Sequence, residues 1–91
     1  MSDLDLFIKE LRLAGYDAAL HGSDKELYEY GVIHLPRYWG NIVIHMELKF
    51  GQYNTYFLDG DNELVDKYYE KFEDMATYIS EMLRVVEEAD A

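Results

Sequence analysis

Between Asn41 and Phe50 the side chains alternate: Ile42, Ile44, Met46, Leu48 and Phe50 fall on one side, and Val43, His45, Glu47 and Lys49 on the other. That period of two predicts a half-buried β-strand, the clearest one in the chain. Toward the N-terminus the period changes to that of a helix. Leu4, Phe7, Ile8 and Leu11 follow the i, i+3, i+4, i+7 spacing of one buried face, Ser2 or Asp3 can cap it, and Gly15 stops it, so a helix is expected over roughly 3 to 14. Tyr16, Ala18 and Leu20 then alternate with Asp17, Ala19 and His21 in a short edge or half-buried strand, closed by the turn-forming Gly22-Ser23-Asp24. Tyr28 to Leu35 reads as the next strand, ended by Pro36, which has no N–H for a ladder, and a loop through Tyr38 and Trp39 reverses the chain. After the clear strand, Gly51-Gln52 suits a two-residue hairpin and Tyr53 to Leu58 a further strand.

The last third has the longest periodic stripe. Leu64, Val65, Tyr68, Tyr69, Phe72, Met75, Ala76, Ile79, Met82, Leu83 and Val86 keep the spacing of three and four, which predicts one helix from about 63 to 88 after the turn Asp59-Gly60-Asp61-Asn62. Its apolar face must cover a sheet or a second copy of itself. The expected fold is therefore α+β: an N-terminal helix, a three- to four-stranded antiparallel sheet and a long C-terminal helix packed on it. No repeat, linker or boundary divides residues 1–91, so one domain is expected.

Composition narrows the function. With 49% apolar and 15% aromatic residues, the 91-residue chain is too rich in core-formers to be a disordered acidic tail. It has no cysteine, which excludes disulfides, thiolate metal sites and thiol nucleophiles. No apolar run approaches the roughly 20 residues that span a bilayer, and MSDLDLF lacks the basic region of a secretion signal, so a cytoplasmic location in a host cell is expected.

The formal net charge is −11, and residues 59 to 91 hold eleven acids against three bases. Such a balance disfavours direct contact with nucleic acid or anionic membrane, where Lys and Arg supply the affinity, and favours a basic protein as partner. The densest acids are Asp59, Asp61, Glu63, Asp66, Glu70, Glu73 and Asp74, answered only by Lys67 and Lys71. Tested as a calcium loop, Asp59, Asp61, Glu63 and Glu70 match positions 1, 3, 5 and 12, but position 6, which needs Gly, is Leu64, and no metal site is expected. A solvated helix face explains where the acids fall but not why Lys is so scarce among them. A surface for a basic partner explains both, with Tyr28, Tyr30, Tyr38, Trp39, Tyr53 and Tyr56 as amphipathic anchors and Tyr38 and Trp39 joining the seven acids as partner-binding residues.

Enzyme chemistry has little to stand on. His21, His34 and His45 lack a fixed third ligand for zinc, although His34 and His45 become cross-strand neighbours in some registers. Ser2, Ser23 and Ser80 lie in a terminus, a turn and a helix, and no Gly-rich phosphate loop is present. Neither a catalytic residue nor a cofactor is expected.

Over roughly residues 2 to 46, Asp3-Leu4, Ile8-Lys9, Tyr16, Leu20, Gly22-Ser23-Asp24, Val32-Ile33, Gly40-Asn41 and Val43-Ile44 carry a likeness. On these residues, and in the order helix, three strands, helix, the chain resembles the small acidic phage anti-CRISPR proteins, Cas9 inhibitors carried by Listeria prophages. The resemblance implies inhibition by DNA mimicry, acidic side chains filling the basic groove of a CRISPR effector. This chain departs in having one long final helix where that family has two shorter ones, and in placing its densest acids at 59 to 74. Two other functions use the same features: an immunity protein or antitoxin that neutralises a basic toxin, and a structural protein whose long helix pairs with its own copy as a homodimer.

Overall fold

A computed structural model describes residues 2–24, 28–35 and 42–89. Helix α1 (Asp3–Leu13) is followed by strands β1 (Asp17–Asp24), β2 (Tyr28–His34), β3 (Ile42–Lys49), β4 (Gln52–Asp59) and β5 (Asn62–Tyr69), and by helix α2 (Phe72–Ala89). The strands form one antiparallel meander in the order β1-β2-β3-β4-β5. The α+β expectation holds, with five strands instead of three or four.

Both ends of α1 are set by local chemistry. Ser2 caps it, its hydroxyl oxygen accepting from the Asp5 N–H at 3.1 Å and its O–H donating to the Glu29 carboxylate at 2.6 Å. That second bond gives buried Glu29 a partner and ties the helix start to β2. At the other end Gly15 takes φ +98°, with the Gly15 N–H on the Arg12 carbonyl and the Tyr16 N–H on that of Leu11. This is a Schellman closure, which needs the left-handed residue that Gly supplies without strain. Gly31 serves a different purpose: a Cβ there would lie 3.1 Å from the Ile8 side chain, so its absence lets α1 approach β2.

Both helices lie on one face of the sheet. Leu4, Phe7, Ile8 and Leu11 of α1 and Met75, Ile79, Leu83 and Val86 of α2 join Ile33, Ile44, Met46 and Phe57 of the sheet in a single buried cluster. Phe7 and Phe72 close the seam between the helices edge to face, their centroids 5.7 Å apart. Buried Thr55 gives its hydroxyl hydrogen to the His45 carbonyl at 2.9 Å, so its polar atom does not go unpaired. The α2 stripe is thus used against the sheet. Among the described residues no helix is long and apolar enough to cross a membrane.

The expected helix from 63 is corrected. Residues 62–69 are strand, and α2 begins only at Phe72, with the Lys71 carbonyl accepting from Met75. Leu64, Val65, Tyr68 and Tyr69 satisfy both periods, because a bulge pairs Phe57 with Val65 but Leu58 with Glu63 and leaves Leu64 as the extra residue. Val65 and Tyr69 then share the helix-covered face, while Tyr68 takes the other face. Tertiary context decides between the periods: without β5, the N–H and C=O groups along the outer edge of β4 would have no strand to bond. Gly60 at φ +62° begins the turn that brings β5 back.

Two smaller boundaries also move. Gly22-Ser23-Asp24 continues β1, because a register shift between Leu20 and Gly22 rephases the strand. The β3–β4 turn is Phe50-Gly51, with Lys49 opposite Gln52, one residue before the expected Gly51-Gln52. Phe50 has φ +52° and Gly51 φ +79°, the two positive angles of a type I′ turn. Left-handed backbone costs a residue with a Cβ about 1–2 kcal/mol.

The face assignment of α2 makes an energetic prediction. Ile79 is fully buried and Val85 is half exposed. Ile79→Ala should lower the unfolding free energy by about 2–5 kcal/mol and Val85→Ala by less than about 0.5 kcal/mol, as read from urea denaturation midpoints at unchanged m-value.

Candidate partner-binding surface

The seven acids occupy one border of the molecule. Asp59, Asp61 and Glu63 stand at the β4–β5 turn, Asp66 in the middle of β5, Glu70 just after that strand, and Glu73 and Asp74 in the first turn of α2. All seven are exposed. Since β5 is the last strand of the sheet, five of them lie on or beside it rather than on a helical rod, and Glu73 and Asp74 alone stand on the helix that follows. An eight-residue strand spans about 23 Å at its usual rise; Glu63 and Asp66 lie within it, and the other five acids gather at its two ends.

The border's own lysines do not cancel it. Among the described residues none of the seven acids is in a salt bridge, and the ion pair Lys9–Asp5, at 3.8 Å, lies on α1. Lys67 turns to the helix-covered side and places its ammonium 4.5 Å from the Tyr78 ring centroid. Asp66 is held by Asn54, whose side-chain N–H groups reach Asp66 at 2.7 Å and the Lys67 carbonyl at 2.9 Å.

The tyrosines divide. Tyr28, Tyr30 and Tyr56 project from the face that carries no helix, whereas Tyr53 points inward and meets Phe72 edge to face at 5.7 Å. Tyr53 is thus a core residue and not an interface anchor. Tyr38 and Trp39 lie outside the described residues.

On the uncovered face, cross-strand pairing builds an aromatic and acidic array. Tyr30, His45 and Tyr56 form a stack, with centroids 5.7 Å apart between the first two and 4.7 Å between the last two, and His21 flanks Tyr30 at 6.1 Å. The Tyr30 hydroxyl bonds His45 Nδ1, and the Tyr56 hydroxyl donates to the Glu47 carboxylate at 3.0 Å. Burial, then the nearby Glu47 charge, raises the Tyr30 pKa. Burial followed by the hydrogen bond to Glu47 raises Tyr56 further. On the other side of the sheet, burial and a hydrogen bond to Glu87 push Tyr16 up to about 12.

His34 and His45 are diagonal neighbours, since His34 pairs with Val43 and His45 with Val32. Among the described residues no three His, Asp or Glu side chains gather in a group able to hold a metal ion. Exposed apolar residues that the sequence reading placed inward are Leu64 and Tyr68, assigned to a buried helical stripe, and Phe50, assigned to the inward side of its strand; of these Tyr68 lies on the uncovered face. The alternation Val43, His45, Glu47, Lys49 was the signal for the face, but its neighbours depend on register.

Burial holds the His45 pKa below 6.5, opposed by Glu47 and helped by His34. Unfolded chains therefore bind a proton at His45 more readily than folded ones. The resulting stability is present above about pH 6.5 and is lost as pH falls from there through the folded-state value. His45→Gln should flatten this part of the profile: between pH 7.5 and 5.5 the variant should lose less thermal stability than the parent, as read from Tm at constant ionic strength. Comparison of the chain with protein-family models, with curated proteins and with solved structures yields no match.

Proposed function

We propose that this chain is a non-enzymatic inhibitor of a basic nucleic-acid-binding protein, acting in the host cytoplasm as an anti-CRISPR protein that fills the DNA groove of a CRISPR effector. The carrying observation is the group of exposed carboxylates from Asp59 to Asp74, free of salt bridges with described residues and gathered along the last strand of the sheet and at its two ends. A rigid sheet border presents charge at lower entropic cost than a flexible acidic tail, because its backbone is ordered before binding. Lysines and arginines that line a DNA groove would meet Asp59, Asp61 and Glu63 at one end of the border and Glu70, Glu73 and Asp74 at the other, with Asp66 between them. The likeness of residues 2 to 46 to the acidic phage inhibitors supports the choice of effector.

The border also guards the sheet: charge along an open edge discourages pairing with other strands. Guarding alone does not require affinity for a basic groove, so binding separates the two roles. In a titration of a purified Cas9–guide complex, the chain should bind and block DNA cleavage, and affinity should fall about a hundred-fold or more between 50 and 200 mM salt. Reversing Asp59, Asp61 and Glu63 to Lys should abolish inhibition while leaving the circular dichroism spectrum unchanged. Salt-independent affinity, or full inhibition by the reversed variant, contradicts the reading.

A further inference from the structure

At the corner of the uncovered face, beside the Phe50-Gly51 turn, a shallow depression of about 300 Å³ is lined by Glu47, Lys49, Phe50, Gln52, Asn54 and Tyr68. Glu47, Asn54 and Tyr68 lie in one cross-strand row. The Glu47 carboxylate is oriented by the Tyr56 hydroxyl, and its remaining lone pairs are open to a donor. Asn54 has committed its N–H groups to Asp66 and the Lys67 carbonyl, which leaves its side-chain oxygen as what it can offer. Both groups are thus acceptors.

Two rings complete the site. Phe50 is 73% exposed and Tyr68 60% exposed, so neither serves the core. Phe50 is also the one non-glycine described residue with positive φ, a conformation that the turn would grant to Gly or Asn more readily. A large exposed aromatic retained against its backbone preference is the kind of outlier from which a binding role is inferred. Acceptors beside accessible aromatic faces suit a planar, donor-rich cation. A guanidinium stacks on rings and carries five N–H donors, whereas an ammonium is a compact and strongly hydrated point charge.

We propose that this depression takes an arginine side chain from a basic protein partner, its guanidinium lying against Phe50 and Tyr68 and hydrogen-bonded to Glu47 and Asn54. The inference rests on the reading above that the partner is basic, and the surrounding charge supports it: Asp66, two residues from Tyr68, is held by Asn54 of the site, and Glu47 lies within the site. Lys49, on the rim, is the cation that opposes the guest. The acidic border gives long-range attraction, and the depression selects arginine over lysine.

The test uses the isotope-labelled full chain and two capped peptides, one of repeated Gly-Arg and one of repeated Gly-Lys. The arginine peptide should bind at least about five-fold tighter, shifting the amide resonances of Glu47, Phe50, Asn54 and Tyr68. Phe50→Gly should raise Tm, since glycine adopts the turn freely, and yet reduce the arginine peptide to the affinity of the lysine peptide. A gain in stability with a loss of selectivity rules out misfolding as the cause. Tyr68→Ser should also remove the preference, and Lys49→Gln should tighten both peptides. Equal affinities for the two peptides, or a preference that survives both Phe50→Gly and Tyr68→Ser, overturns the proposal. The variant with Asp59, Asp61 and Glu63 reversed should weaken both peptides alike and keep their ratio. Salt-sensitive binding with a ratio of one therefore removes the arginine site and leaves the acidic border standing, whereas failure of both peptides to bind removes both.

Discussion

Pairing of β4 with β5 sets what the rest of the molecule can do. Strand β4 supplies buried Thr55 and Phe57 to the core, and its inner edge bonds β3. Its outer edge would stand open if the chain after Asp59 became helical at once. The turn at Gly60 sends the chain back, and seven register pairs from Asp59–Asn62 to Tyr53–Tyr69 close that edge. Each backbone pair exchanges bonds to water for bonds to the neighbouring strand, and Val65 and Tyr69 of β5 add apolar packing against the core. As a result α2 is shortened to Phe72–Ala89 and crosses the sheet as a cover, its buried Met75, Ile79, Leu83 and Val86 facing inward.

The same pairing determines where the charge goes. On a helix, the acids from Glu63 to Asp74 would have wound around an axis and shared one face only where the spacing allowed. With the strand in place, Glu63 and Asp66 lie on the outermost strand and the others at its two ends, exposed and without salt bridges to described residues. Repulsion among them is tolerable because water screens exposed charges over about a Debye length, roughly 8–10 Å at ordinary ionic strength. The uncovered face beside it is a second product of the meander: both helices lie on one side, so Tyr28, Tyr30, His45, Glu47, Tyr56 and Tyr68 remain on the other.

Much of the architecture was legible in residue spacing. The first helix, its Ser2 cap and its Gly15 stop followed from local rules, and so did the strand around Ile44, because its alternation has no competing period. Residues 62–69 were not legible, for a definite reason: Leu64, Val65, Tyr68 and Tyr69 fit a helix, and they fit a strand once a bulge at Leu64 is allowed. Local periodicity cannot choose between these, and pairing with the edge of β4 does. The acids were visible as a group, but their geometry followed the secondary structure and changed with it. The depression around Phe50 and Tyr68 was hidden twice, by the helical assignment of Tyr68 and by the one-residue shift of the β3–β4 turn.

The backbone between Asn62 and Tyr69 is therefore where the account is most exposed. A solution NMR spectrum of the full chain, collected for nuclear Overhauser contacts, reads it directly. Cross-strand backbone contacts between Phe57 and Val65 and between Tyr53 and Tyr69, with helical i to i+3 contacts beginning only after Lys71, are the expected result. An unbroken series of helical contacts from Glu63 to Val86 would contradict the five-stranded sheet, and with it the placing of Glu63 and Asp66 on its border.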